Sequence, residues 1–257
     1  MSARVSMRII LVVLLCGTVA GWSRADPAGD KKRAQLLNVK SLLVIPVFFG
    51  TDALGELPPP KAGAQSENRH DRKPVLDDRQ RAEFTNYLES LRKLERNARE
   101  VLLARAAART HFTVIKADDV DGALKELKIT PPELFQNGGR LNNGKFELPD
   151  VGQVKRLASR LHADAVLMGV LDEPLKSSGG YIINPTGPAY DTPKVHDKAT
   201  FDLLLADGTM VLRQTIDVVH PLTKIGARQF VLADWIETED QIVEDLMNEV
   251  TRYTPKR

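Results

Sequence analysis

The sequence predicts an α/β fold: a single domain whose mixed sheet carries helices and ends in an antiparallel hairpin followed by a helix. Three observations predict it. In Val154–Asp172 an amphipathic helix runs almost directly into an apolar strand. Val154, Leu157, Ala158 and Leu161 recur at helical spacing among Lys155, Arg156, Ser159 and Arg160, which marks one buried face. From Ala165 to Leu171 every residue but Gly169 is apolar, the pattern of a central strand covered on both faces. A second apolar run, Ser41–Gly50, supplies another buried strand. Lastly, Ala199, Phe201, Leu203 and Leu205 alternate with polar residues, Asp207-Gly208 forms a turn, and Met210–Val219 returns as the partner strand.

The other elements follow in chain order. Met1–Ala25 has Arg4 and Arg8 before the apolar run Ile9–Leu15 and closes on Ser23-Arg24-Ala25, the pattern of a cleaved signal peptide. The mature chain is expected to begin at Asp26. Cys16 is followed by Gly17, as in a lipoprotein signal, but preceded by the bulky Leu15, so membrane attachment is expected only if Cys16 is lipidated. Asp26–Lys40 reads as a mobile polar leader. Pro46, which lacks a ladder donor, should fall at a strand end, bulge or edge. Thr51–Pro74, with Pro58-Pro59-Pro60 and mixed charges, has no period and reads as an insertion loop. Asp77–Arg109 is the longest helix. Phe112–Lys116 reads as a short strand, Asp118–Leu127 as a short helix, and Pro131-Pro132 as a further turn or helix. Asn137–Gly144 is a glycine- and asparagine-rich loop. Asp150 with Gln153 reads as a capping box for the central helix, and Asp234 with Glu237 as the cap of a last helix, Asp234–Tyr253. Glu173–Thr192 is a second long loop. The single domain is thus expected over 41–253, with long loops 51–74 and 173–192.

Charge and cysteine usage narrow the function. The chain has 36 Lys and Arg against 34 Asp and Glu. The signal segment holds Arg4, Arg8 and Arg24 and no acid, leaving 33 basic against 34 acidic residues in the remainder. No single-sign field remains to favour nucleic acid or an acidic membrane surface. Cys16 is the one cysteine, so a mature chain starting at Asp26 has no disulfide, zinc-thiolate site or cysteine nucleophile.

Several motifs approach chemistry and stop short of it. Gly139–Phe146 nearly spells a P-loop, but Phe146 stands where a magnesium-holding hydroxyl belongs and Pro149 follows. Asp119, Asp121 and Gly122 resemble part of a calcium loop, yet Ala117 and Lys128 occupy its first and last ligand positions; a helix start explains the acids. Ser90 and Lys93 have the Ser-x-x-Lys spacing but lie within a long helix with no Lys-Thr-Gly downstream. No two of His70, His111, His162, His196 and His220 stand at metal-ligand spacing. Ser177 and Ser178 near Lys176 read as a glycine-rich turn rather than a serine-lysine pair. No catalytic residue, cofactor or metal site is expected.

The stretches Lys40–Val47, Phe112–Ile115, Arg156–Val170 and Phe201–Leu212 resemble the TolB amino-terminal-domain group of bacterial envelope proteins. This group includes the curli-secretion lipoprotein, the penicillin-binding-protein activator lipoprotein and uncharacterised lipoprotein members, the last being most similar. The resemblance rests on packing motifs, Ala163-Asp164-Ala165 at a strand entry and a turn between two strands, and supplies no catalytic residue. It implies a non-enzymatic part of a cell-envelope assembly with a protein partner. The sequence-level expectation is a periplasmic binding or scaffolding module, with an outer-membrane lipoprotein as the alternative location. A hydrolase or small-ligand binder with its site on the two long loops is the alternative function. Within Glu173–Thr192, the residues Tyr181, Ile182, Ile183 and Tyr190 are the expected partner contacts, because apolar and aromatic anchors carry interfaces.

Overall fold

The computed structural model describes residues 26–50, 78–139, 141–142, 145–171, 194–221 and 232–254. Within them the chain runs α1 (Pro27–Leu37), β1 (Ser41–Val44), β2 (Phe48–Phe49), α2 (Asp78–Arg109), β3 (Thr113–Val114) and α3 (Ala117–Leu127). Two short turns of 3-10 helix, Pro131–Leu134 and Gln136–Gly139, lead to β4 (Leu141–Asn142) and β5 (Lys145–Phe146). Then come α4 (Val151–Leu161), β6 (Ala165–Leu171), β7 (Lys194–Leu205), β8 (Met210–Pro221) and α5 (Leu232–Tyr253). No helix among the described residues is long and apolar enough to cross a membrane.

The main sheet has the order β3-β1-β6-β7-β8, with β2 also paired to β6. β1 lies parallel to β3 and β6, and β2 parallel to β6. The pairs β6/β7 and β7/β8 are antiparallel. The fold is therefore the expected α/β arrangement of a mixed sheet with helices on it. All seven residues of β6 are buried, and they divide by parity between two cores. Ala165, Leu167 and Leu171 join residues of α2 and α5, including Leu94, Leu102, Ile242 and Leu246. Val166, Met168 and Val170 join residues of α3 and α4, including Val120, Leu124, Val154 and Leu157. Alternation of side chains across the pleat makes one apolar strand the wall of both. Gly169, the gap in that apolar run, has Phe201 Cδ1 and Cε1 of β7 at 2.4 Å from where a Cβ would stand. The aromatic ring occupies the space a side chain there would need.

Several boundaries differ from the sequence reading. Asp26–Lys40, expected as a mobile leader, holds α1: Asp26 caps it by accepting from Gly29 N–H at 3.0 Å, Pro27 stands in its first turn, and Leu36 is buried. The helix is short and carries the charged run Asp30–Arg33, so its anchoring is tertiary; Lys32 Nζ lies 4.9 Å from the Tyr253 ring centre on α5. Asp150 caps α4 as expected, accepting from Gly152 and Gln153 N–H at 2.9 and 3.1 Å. The reciprocal half of the box is missing. The Gln153 side chain accepts from Arg156, and the Asp150 N–H donates to the Leu134 carbonyl. Helix α5 begins at Leu232, so Asp234 lies inside it rather than capping it.

Asn137–Gly144, read as a loop, holds β4, which pairs antiparallel with β5 just beyond it, Leu141 opposite Phe146 and Asn142 opposite Lys145. β7 begins at Lys194, five residues before its apolar alternation, because its pairing with β8 extends that far. Pro46 falls at the break between β1 and β2, a strand end as its missing N–H requires.

Candidate functional site

The two ends of the sheet are built differently. At the amino end of the parallel strands, residues 38–40, 110–112, 162–164 and 206–209 make short connections. Asp164 ties this end together. Its carboxylate accepts from Lys40 N–H, Ser41 N–H and the Ser41 hydroxyl, each at 2.9 Å. Its carbonyl accepts from Ala206 N–H at 2.9 Å. One residue thus joins the starts of β1 and β6 to the end of β7. Its slight burial opposes ionisation, but those hydrogen bonds and the nearby Lys40 charge prevail and hold its pKa below the usual carboxylate value. Beside it, His162 ends α4 in the left-handed region (φ 51°), with its N–H turned back to α4 carbonyls. Gly208 (φ 82°) lies under the Val151 side chain, where a Cβ would come within 2.3 Å of Cγ1.

The opposite end is where the expected site lies. There β2 and β6 finish side by side, Phe49 opposite Leu171, and Gly50 N–H donates to the Leu171 carbonyl at 2.9 Å. At the same end Lys194 opens β7 opposite Pro221, which closes β8. Segments 51–77, 172–193 and 222–231 continue from these termini. Tyr181, Ile182, Ile183 and Tyr190 fall in 172–193, outside the described residues, as do both long loops. Glu95 of α2 secures the described rim by accepting from Phe49 N–H at 3.1 Å. Burial raises its pKa against the opposing pull of that hydrogen bond and of Arg92 and Arg96.

Two further features could serve binding. A shallow groove of about 490 Å³ runs between Pro46, the second half of α3 and the following turn, lined by Pro46, Leu124, Lys125, Lys128, Ile129 and Pro131 among others. Asp121, also on its wall, is held by Arg99 in a two-pronged pair at 2.8 and 3.0 Å. The second feature is Asp202, fully buried in the middle of β7 with no hydrogen bond to either carboxylate oxygen. Arg213 Nε lies 3.7 Å away across the hairpin, and its Nη2 donates to the Glu147 carbonyl at 3.2 Å. Burial pushes the Asp202 pKa up to about 6, and Arg213 only partly offsets it. Sequence reasoning missed this residue. It occupies a polar phase of an alternating strand, where a carboxylate facing water is the ordinary expectation.

Lys176, Ser177 and Ser178, and part of Gly139–Phe146, lie outside the described residues; other near-motifs fall where packing explains them. Ser90 Oγ donates to the Asn86 carbonyl one helical turn back. Asp118 and Asp119 lie in the first turn of α3, where acids complement the helix dipole. The His111 ring packs against Phe112 at a 52° tilt, with centroids 4.4 Å apart. Among the described residues, no three His, Cys, Asp or Glu side chains gather as a metal would require.

Fold and site together define a class: an α/β domain whose sheet is tied at one end and sends its long segments from the other. No protein-family model matches the chain, and neither does any curated protein. Solved structures do resemble it. One is the LpoB C-terminal domain from Salmonella enterica, at 12% identity over 75% of this chain and 93% of that one, with a TM-score of 0.28. Lipoprotein GNA1162 from Neisseria meningitidis matches at 12% identity over 82% and 97%, with a TM-score of 0.32. The PelC dodecamer from Paraburkholderia phytofirmans matches at 11% identity over 87% and 93%, also with a TM-score of 0.32. The envelope lipoproteins that the sequence resembles are met again here. Likenesses of this degree assign this chain neither a family nor an activity.

Proposed function

We propose that this protein is a non-enzymatic binding or scaffolding module of the bacterial cell envelope, exported to the periplasm and acting through contacts with a protein partner. The observation that supports it most is the shared origin of segments 51–77, 172–193 and 222–231 at one end of the sheet, beside the paired termini Phe49/Leu171 and Lys194/Pro221. Binding residues are commonly carried on connections that a rigid scaffold positions, and the scaffold here is a strand buried along its whole length. In this reading Tyr181, Ile182, Ile183 and Tyr190 supply the apolar and aromatic anchors. The signal-like start Met1–Ala25 supports export.

Replacing 180–190 with a short Gly/Ser linker tests the site. The expected result is an almost unchanged melting temperature and loss of the partner captured from envelope extract by the intact protein. A large fall in melting temperature with capture retained would assign those residues to the domain's own core. Mass spectrometry of the exported protein tests the location: an amino terminus at Asp26 is expected, whereas a lipid-modified Cys16 would make it a membrane-anchored lipoprotein.

A further inference from the structure

The groove between Pro46, α3 and the turn after it carries an unbalanced charge on its wall. Its apolar floor is narrow. Pro46 and Pro131 are partly buried, and Leu124 and Ile129 reach the groove only by their edges, each 6% exposed. Such a floor seats one apolar side chain rather than the face of a helix. Lys125 and Lys128, one turn apart at the end of α3, stand on the wall and are exposed. Among the described residues neither ammonium takes part in a hydrogen bond or ion pair. The acids around them are engaged elsewhere. Asp121 is held by Arg99, which also donates to the Ala117 carbonyl at 3.2 Å. Glu126 turns to α4, where Arg160 grips it at 2.6 to 3.1 Å. Glu133 folds back on Thr130, accepting from its N–H and its hydroxyl at 2.7 and 2.8 Å. Those bonds hold the Glu133 pKa below the usual carboxylate value, so it keeps a negative charge at the Thr130 end.

We infer that this groove receives an extended acidic segment of a protein partner, with one apolar side chain seated among Pro46, Leu124 and Pro131 and a flanking carboxylate facing Lys125 and Lys128. Charge complementarity selects the sign of the occupant: the wall presents two uncompensated ammoniums, and its one acid is already neutralised by Arg99. Glu133 sets the direction, since its charge repels an acid at the Thr130 end and leaves the α3 end to the partner's carboxylate. The shallowness selects a chain. A small molecule is held by burying most of its surface, which an open groove does not do, whereas a segment of a folded partner is kept in place by the rest of that partner. The lysine stems extend the apolar floor while their charged ends stay in water. Exposed pairs of this kind govern selectivity and association rate more than affinity, and salt screens them. This surface adds a second contact to the one proposed on 172–193 and does not depend on it.

The probe is a short fluorescein-labelled peptide of alternating leucine and glutamate, titrated with the mature protein and followed by anisotropy. Binding is expected, weakening as salt is added, and the amide NMR signals of Asp121–Ile129 should shift while those of Lys40 and Ser41 at the tied end hold still. Lys125→Glu combined with Lys128→Glu should raise the dissociation constant about tenfold. Both side chains are exposed, so the melting temperature should not change; if it falls, the pair Lys125→Ala and Lys128→Ala decides, with a smaller rise in the same direction. Peptides with lysine in place of glutamate, or serine in place of leucine, should not bind. Equal binding of either control, no binding of the probe, or a dissociation constant unmoved by the lysine substitutions overturns the proposal. Peptide binding should survive replacement of 180–190 by the Gly/Ser linker, and its loss there would move the peptide to that surface and overturn the groove. A peptide affinity that rises when 51–77 is replaced residue for residue by Gly and Ser would make this chain's own segment the occupant, and overturns the partner.

Discussion

The two ends of β6 teach different things about the same strand. At Ala165 the chain is tied by Asp164 and Ser41, and every connection is a few residues long. At Leu171 the pairing is equally regular, yet the chain leaves for long excursions. Backbone pairing therefore does not distinguish the tied end from the end proposed to bind. What distinguishes them is where side chains have been recruited to hold the backbone. Asp164, Ser41 and Asp207 do this at the first end, Asp207 accepting from Thr209 N–H at 2.8 Å. At the second, among the described residues, Glu95 holds the backbone of Phe49.

Substitutions at four positions break or sharpen this contrast. Leu167→Asp, midway between the ends and 1% exposed, should remove both together. An unpaired buried carboxylate costs several kcal/mol against a total stability of about 5–15 kcal/mol, and circular dichroism should show no cooperative fold at neutral pH. A surviving cooperative transition would show β6 not to be the shared support.

Asp202→Asn comes next. Because the folded pKa of Asp202 is about 6 and the unfolded value lies near 3.8, the native state keeps a proton that the unfolded chain releases. Stability is fully present below about pH 4 and is lost as pH rises through 6, by about 3 kcal/mol. The substitution should raise stability at pH 7.5 and flatten that slope in urea titrations. An unchanged slope would place the titration elsewhere.

Asp164→Ala removes the acceptor for three hydrogen bonds and should cost about 2 kcal/mol, read as a fall in urea midpoint at pH 7. Here the sign is opposite. The folded pKa lies below the unfolded value, so the contribution is present at neutral pH and is lost as pH falls through the folded pKa. The variant should approach the parent in strong acid. Capture of a partner through the far end should persist, and its loss would show the two ends to be coupled. His162→Gly is the smallest change. It relieves a left-handed backbone and should stabilise by less than about 1 kcal/mol, while His162→Ala should weaken the fold slightly. A large effect of either would give the imidazole a role beyond ending the helix.

Much of the first end and little of the second was legible in the sequence. Ala165–Leu171 announced itself because a strand covered on both faces cannot hide its apolar continuity. Asp207-Gly208 did so because the turn needs a residue that accepts positive φ. Helix α1 was not legible, since only Gly29 and Leu36 of its eleven residues are buried and its hold on α5 is long-range. Asp202 was missed because alternation tells which residues share a face and not whether that face is covered. The expected contacts Tyr181, Ile182, Ile183 and Tyr190 carry a compositional signal alone, and the described residues stop short of them.

The pairing of β1 with β6 also sets the order in which the chain can fold. Lys40 and Ser41 bond to Asp164 across 124 and 123 residues, whereas β7 and β8 are joined within a few residues by the turn at Gly208. Hairpins form in microseconds, and contacts that close a long loop come later and at a larger entropic cost. During synthesis from the amino terminus, β1 is made first and must wait until β6 has emerged. For that interval Leu42–Ile45, apolar throughout, has only the two-residue β3 among the described strands to pair with. The protein's period of greatest exposure to aggregation is thus written into the distance between Ser41 and Asp164.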